Sequence, residues 1–176
     1  MVNENDNWRG SNIGGLNTQE IDEFLAGPWL ARRACLKPNG SPYVVPVWYH
    51  WDGAAFWLVA RKKSEWARFI ADDPRVSLVI DEPEPPIRKV ICEGLAEVVE
   101  EPVGPILDNG KSSIWNQIGS EHTGPRYLGA KSSEYRDSIN TEPCWTFKIC
   151  PEKLVTWQGF DWHDRYKNAD KAMGKD

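Results

Sequence analysis

The run Val59-Ala60-Arg61-Lys62-Lys63-Ser64 sets three cations in a row between a strand-like stretch and a residue that can open a helix. A helix start presents unpaired backbone N–H groups and the positive end of the peptide dipole, and arginine or lysine adds full charge. The combination suits a phosphate or another compact anion. It equally describes a solvated basic loop, and these residues alone do not separate the two readings. Other chemistry-bearing residues are sparser. His50, His122 and His163 have no ligand-like spacing to one another or to cysteine pairs, so no metal site is expected. Cys35, Cys92, Cys144 and Cys150 match neither zinc nor redox spacing and read as buried reduced thiols. Gly-x-Ser-x-Gly elements, P-loops and Gly-rich dinucleotide fingerprints do not occur, and no pair of carboxylates is singled out. No catalytic residue can be named on these grounds, and any chemistry is expected to come from a bound cofactor. Ten tryptophans are the unusual feature, two of them in the aromatic-rich run 157–166. Tryptophan joins a large apolar face to a single donor, which suits cores, interfaces and the walls of aromatic-ligand pockets.

Bulk properties narrow the class. The 176 residues suit one domain with a helical decoration. With 21 basic against 26 acidic side chains the formal charge is −5, and no nucleic-acid partner is expected. A basic pocket can still sit on an acidic protein. The N-terminal stretch lacks the apolar core of a secretory leader, and no apolar run approaches ~18 residues. A soluble, cytoplasmic protein with no membrane contact is expected.

The elements that would position these residues follow from period and punctuation. Residues 1–16 read as a flexible arm, rich in Asn, Asp and Gly. Asn17 or Thr18 can cap a helix with an apolar stripe at Ile21, Phe24 and Leu25, stopped by Gly27-Pro28. Residues 29–36, 43–51 and 55–60 read as a three-stranded meander, with Asp52-Gly53 as a two-residue hairpin. Ser64 can cap a short helix whose Trp66, Phe69 and Ile70 share a face; Asp73-Pro74 ends it. Alternation returns at 75–81 and in a long strand at 87–100, where Gly94 marks a bulge or barrel corner. Residues 102–139 break the pattern with helical stretches near 113–118 and 126–136. Strand alternation resumes at 144–150 and continues over 154–157, and 167–176 is a polar tail. Many short strands without a βαβ rhythm predict a mainly β protein, a closed antiparallel barrel with peripheral helices.

Taken in order, these pieces resemble the flavin-binding split-barrel superfamily that includes pyridoxamine-phosphate oxidase. The resemblance spans residues 17–166: the capped helix, the hairpin through Pro46-Val47-Trp48, the basic turn, Asp73-Pro74-Arg75-Val76-Ser77-Leu78, and the glycine-centred Glu93-Gly94-Leu95-Ala96-Glu97-Val98. It implies a six- to seven-stranded Greek-key split barrel, paired into a homodimer with FMN sites along the interface and a small-molecule substrate. By that resemblance the flavin ring lies against Val45, Pro46, Val47 and Trp48. Its phosphate end is held by the turn formed by Val59, Ala60, Arg61, Lys62, Lys63, Ser64 and Trp66. Trp157 and Arg165 look like the C-terminal tryptophan and arginine that the oxidases use near the flavin. Tyr49, His50, Trp157 and His163 are candidates for the substrate side, and Arg126-Tyr127 can also reach it.

Departures from the pattern matter as much. Oxidases typically show Ser-Arg-Lys at the helix start, where this chain has Ser64-Glu65-Trp66, so cations from the preceding turn must stand in. The oxidase ending resembles Arg-Leu-His-Asp-Arg, and here the run is Asp161-Trp162-His163-Asp164-Arg165. An acid in the first slot repels a substrate phosphate, which argues against pyridoxamine phosphate as substrate. Related barrels also hold the deazaflavin coenzyme, whose acidic tail would call for a groove lined by Arg61, Lys62, Lys63, Arg88 and Lys89. A non-catalytic flavin or heme binder is the alternative of a different class.

Overall fold

Alternating burial along each strand builds a sheet with one inward face. A computed structural model of the chain describes residues 15–139 and 142–159. Strand β1 (Ala31–Leu36) buries Ala31, Arg33 and Cys35 and turns Arg32 outward. Strand β4 (Phe56–Arg61) buries Phe56, Leu58 and Ala60, and β5 (Arg75–Asp81) buries Val76, Leu78 and Ile80. This is the period-two pattern of a half-buried strand. With β2 (Pro42–Val47), β3 (His50–Trp51), β6 (Lys89–Val103) and β7 (Cys144–Trp157) they form one seven-stranded antiparallel sheet in the order β2-β1-β5-β6-β7-β4-β3.

The edges of this sheet, β2 and β3, are consecutive in the chain and separated only by Trp48-Tyr49. Laid flat, seven strands would hold their edges about 29 Å apart, at roughly 4.8 Å per spacing. The link from Val47 to His50 reaches at most ~11 Å. The sheet therefore curls until its edges meet, which makes a barrel split at residues 48–49. Because β1 pairs with β5 across the intervening β2–β4 segment, the connection is of Greek-key type.

Helix α1 (Thr18–Leu25) is held by a capping box: Asn17 accepts from the Glu20 backbone N–H, and the Glu20 carboxylate accepts from the Asn17 N–H. It buries Phe24 and Leu25 against the barrel. Helix α2 (Glu65–Asp72) follows Ser64 and buries Ala67 and Ile70, although the Ser64 side chain makes no capping hydrogen bond. Among the described residues no helix is long and apolar enough to cross a membrane.

Four local expectations need correction. Residues 43–51 are not one strand, because Tyr49 turns fully inward and the backbone there bonds to side chains instead of a ladder partner. The three-stranded meander consequently does not form; β2 pairs with β1, whereas β4 pairs with β3 and β7. The Asp52-Gly53 hairpin is real but longer, since Trp51 pairs with Phe56 and the Asp52 carboxylate gathers the N–H groups of Ala54, Ala55 and the Trp57 indole. Cys35, Cys92 and Cys144 are buried free thiols, but Cys150 is exposed. It sits beside the register shift that follows Glu93.

At that shift Gly94 lies against β7, and a Cβ there would come within 2.7 Å of the Cys150 carbonyl oxygen. The obstacle is backbone and cannot swing away. Gly94→Ala is expected to lower unfolding stability by about 1–3 kcal/mol, read as a lower denaturant midpoint with an unchanged slope. An unchanged midpoint would show that β7 yields at this point.

Candidate functional site

Between β6 and β7 the chain forms α3 (Ile114–Gln117), a π-helical stretch Ile118–Thr123, α4 (Gly124–Leu128) and α5 (Ser132–Ile139). Side chains from the barrel fix where this insertion begins. The Glu100 carboxylate accepts from the backbone N–H groups of Ile114 and Trp115 at 2.9 and 3.2 Å and from the Thr146 hydroxyl at 2.9 Å. The Trp115 indole donates to the Val103 carbonyl at 2.9 Å. Gly124 lets the helical turns close on one another: a Cβ there would strike Ser132 Oγ and lie 2.5 Å from the Gly119 carbonyl.

The insertion docks on the split in the barrel. Trp48 stacks on Tyr127 with ring centroids 5.0 Å apart, and His50 stacks on His122 at 3.8 Å. Arg126 donates to the Tyr49 carbonyl at 3.1 Å, and the Tyr127 hydroxyl donates to the Trp29 carbonyl at 2.8 Å. From the other side the Tyr49 hydroxyl donates to the Leu25 carbonyl and the Trp51 indole to Asp22. Burial, with Tyr127 alongside, pushes the Tyr49 phenol well above its ordinary pKa, so it stays a neutral donor. Arg126-Tyr127 therefore clamp the insertion to the split.

Between insertion and barrel lies a cleft of about 410 Å³, within the size range of small-molecule sites. The break contributes Pro46, Val47 and Trp48, and the β4–α2 corner contributes Val59, Ala60, Arg61, Ser64 and Trp66. Leu30 and Cys144 complete the barrel side. The insertion supplies Trp115, Asn116, Gly119, Thr123, Gly124, Ser132, Tyr135 and Arg136. Arg61 and Arg136 are the charged groups in this wall, and no carboxylate lines it among the described residues. Arg61 reaches the Tyr135 hydroxyl at 3.5 Å. Cys144 faces the cleft, but burial pushes its thiol up to about 11, leaving it protonated and a poor nucleophile.

Other expected site residues lie elsewhere. Val45 is outside the cleft lining, Lys62 and Lys63 are exposed, and Tyr49 is buried behind the wall. His50 sits in its stack with His122. Trp157 pairs with Lys89 at one end of β7, while Arg61 pairs with Cys144 at the other. Arg88 is bound to the buried Glu82 carboxylate at 2.8 Å. The five cations of the expected wide groove are thus spread over both ends of the barrel. His163 and Arg165, with Asp161 and Trp162, lie outside the described residues. Reading the sequence missed the whole wall given by the insertion; Trp115 and Tyr135 are visible as aromatics, but nothing local says that they fold back to line a cleft with Trp48.

The family described as pyridoxamine 5′-phosphate oxidase matches residues 17–146, from the α1 cap into β7. The chain belongs to the pyridoxamine 5′-phosphate oxidase family. Among solved structures, a conserved hypothetical protein of Mycobacterium tuberculosis, Rv2991, is 25% identical with a TM-score of 0.67, covering 84% of this chain and 88% of its own. A FAD-binding protein of Mesorhizobium loti is 22% identical with a TM-score of 0.55, at 83% and 96% coverage. HutZ, the heme storage protein of Vibrio cholerae, is 19% identical with a TM-score of 0.57, at 81% and 94% coverage. The latter two share the fold with this family member. No curated protein matches the chain.

The split of this family member carries a titration signature. Burial, then the neighbouring His122 and Arg126, lower His50 to about 4 against a smaller opposing pull from Asp52. An unfolded histidine titrates near ~6.5, so the unfolded chain takes up this proton first. The contribution of His50 to stability is complete above about pH 6.5 and is lost as pH falls toward 4. With three histidines in the chain, proton NMR is expected to resolve an imidazole titrating near 4 that vanishes in His50→Gln. A midpoint near the ordinary value would mean that the stack opens in solution.

Proposed function

We propose that this family member is a flavin-dependent oxidoreductase that holds FMN in the cleft between the Trp48 break, the β4–α2 corner and the helical insertion. The observation that carries the reading is the chemistry of the wall. Trp48, Trp66, Trp115 and Tyr135 surround a space whose charged groups are Arg61 and Arg136, in a chain of net charge −5. Aromatic faces match a flat conjugated ring, and guanidinium groups match a phosphate tail. In this reading Arg61 and Ser64 hold the phosphate end, the 46–48 segment flanks the ring, and the insertion keeps water away. The flavin supplies the hydride or electron chemistry when bound, and the protein supplies binding, orientation and electrostatics.

Tyr49 and His50 act from behind the wall, fixing the backbone that carries Trp48. The substrate is a small molecule other than pyridoxamine phosphate, given the acid at position 161. Arg136, which follows the Tyr135 that Arg61 meets, extends the cationic rim and favours the deazaflavin coenzyme as the second reading. The protein is further proposed to be a homodimer, with Trp157 of a second copy completing the site. Val44, Leu95 and Val98 leave exposed apolar surface on the strands, and sedimentation is expected to give twice the chain mass of 20.1 kDa.

Titration followed by flavin fluorescence tests the reading. The protein is expected to bind FMN, to exclude riboflavin relative to FMN by about tenfold or more, and to lose about tenfold in FMN affinity in Arg61→Gln. Tighter binding of deazaflavin than of FMN would favour the second reading. Failure to bind either, in a protein that elutes as a folded dimer, would leave the fold and remove the enzyme.

A further inference from the structure

Arg33 stands at the middle of β1, opposite Val45 of β2 and Leu78 of β5, in the inward row between Ala31 and Cys35. It is completely buried, and its Nε, Nη1 and Nη2 atoms have no hydrogen-bond partner among the described residues. Its neighbour Arg32 points the other way and pairs with Asp81 at the surface. The strand thus gives a partner to the arginine that needs one least. A buried guanidinium without a counter-charge is among the costliest arrangements a core can hold. Nothing in the packing of β1 requires a cation here, since Met or Leu would fill the same volume.

The position of the group gives it a use. Its Cζ lies 4.4 Å from the centroid of Trp66, the second residue of α2, and Trp66 lines the cleft. Ser64, at the N-cap of the same helix, also lines the cleft, and its hydroxyl is not spent on capping. The start of α2 therefore borders the cleft. The Ser64 and Ala67 N–H groups bond to the Arg61 and Ser64 carbonyls, and those of Glu65 and Trp66 have no backbone partner among the described residues. A buried cation without a hydrogen-bond partner among the described residues lies against the Trp66 indole.

We infer that Arg33 is an anion-binding residue of the cleft, supplying from the floor of the barrel the charge that meets a phosphate monoester at the start of α2. The indole of Trp66 covers the guanidinium and holds it by a cation–π contact. A phosphate entering beside Ser64 and Arg61 displaces the indole edge and takes over the guanidinium, whose fork geometry suits a tetrahedral anion. Arg33 is in this sense a positioning and specificity residue; it sets the preference for a phosphorylated over an unphosphorylated ligand. The inference rests on the reading of the cleft as a site for a phosphate-bearing cofactor.

The test compares the wild-type protein with Arg33→Met and Arg33→Lys, using FMN, riboflavin and inorganic phosphate as probes. Affinities are read from flavin fluorescence, and thermal unfolding is read with and without each probe. In Arg33→Met the preference for FMN over riboflavin is expected to shrink from about tenfold or more to within about threefold, with riboflavin affinity unchanged. Arg33→Lys is expected to recover part of it. Without any probe, Arg33→Met is expected to unfold at the same or a higher temperature, because a burdensome charge has been replaced by an apolar side chain of similar size. An unchanged FMN-to-riboflavin ratio would overturn the inference. So would a less stable Arg33→Met protein without ligand, which would assign the guanidinium to an acid of the chain itself. If the wild-type protein binds neither flavin, the flavin reading falls, and the phosphate arm decides this one separately. Stabilisation by millimolar phosphate that disappears in Arg33→Met would sustain it, and no stabilisation of the wild-type protein would overturn it.

Discussion

The tether between the two edges of the sheet governs everything else in this molecule. Trp48-Tyr49 joins β2 to β3, and a link that short cannot cross an open seven-stranded sheet. Curling brings the edges together but leaves a stretch of backbone with no ladder partner. At Tyr49 the backbone N–H and carbonyl bond to the Tyr127 hydroxyl and to Arg126 instead, and each of the four consecutive residues 48–51 fastens to a group outside the sheet. Trp48 takes Tyr127, Tyr49 takes the α1 carbonyl of Leu25 and the guanidinium of Arg126, His50 takes His122, and Trp51 takes Asp22. The split is therefore where the N-terminal helix, the barrel and the insertion are fastened together, and the cleft opens beside it.

Charge distribution follows the same seam. The chain is acidic overall, yet the described part of the cleft wall carries arginines and no carboxylate. Glu100 is engaged in capping the start of the insertion, and Asp52 in gathering the hairpin N–H groups. The cationic character of the described wall thus comes from which charges line it, two arginines and no carboxylate, and not from the net charge of the chain. On the proposed reading, this wall is an aromatic slot for an anion on a molecule of net negative charge.

Several features were legible because their causes are local. The capping box at Asn17 and Glu20, the alternation of Val76, Leu78 and Ile80, and the bulge at Gly94 each depend on residues within a few positions. The order of these pieces sufficed to resemble the split-barrel family. Of the residues expected around a cofactor, those at the end of β2 and at the β4–α2 corner share one cleft, because strand direction and turn position follow from short-range pattern. Lys62 and Lys63 do not share it, since which way a turn residue points depends on how the turn packs.

By itself the sequence determined most of the strands, helices α1 and α2 with the capping box of the first, the basic corner ahead of α2 and the acidic overall balance. It did so because period, capping and turn chemistry act over a few residues. Only the tertiary structure decided that residues 43–51 break at Trp48-Tyr49, that Trp115, Tyr135 and Arg136 wall a cleft, and that Arg33 lies buried under Trp66. Each of those is a meeting of segments far apart in the chain. It is settled by closure of the barrel and by which distant group satisfies a buried backbone or a buried charge, and no local pattern encodes that choice.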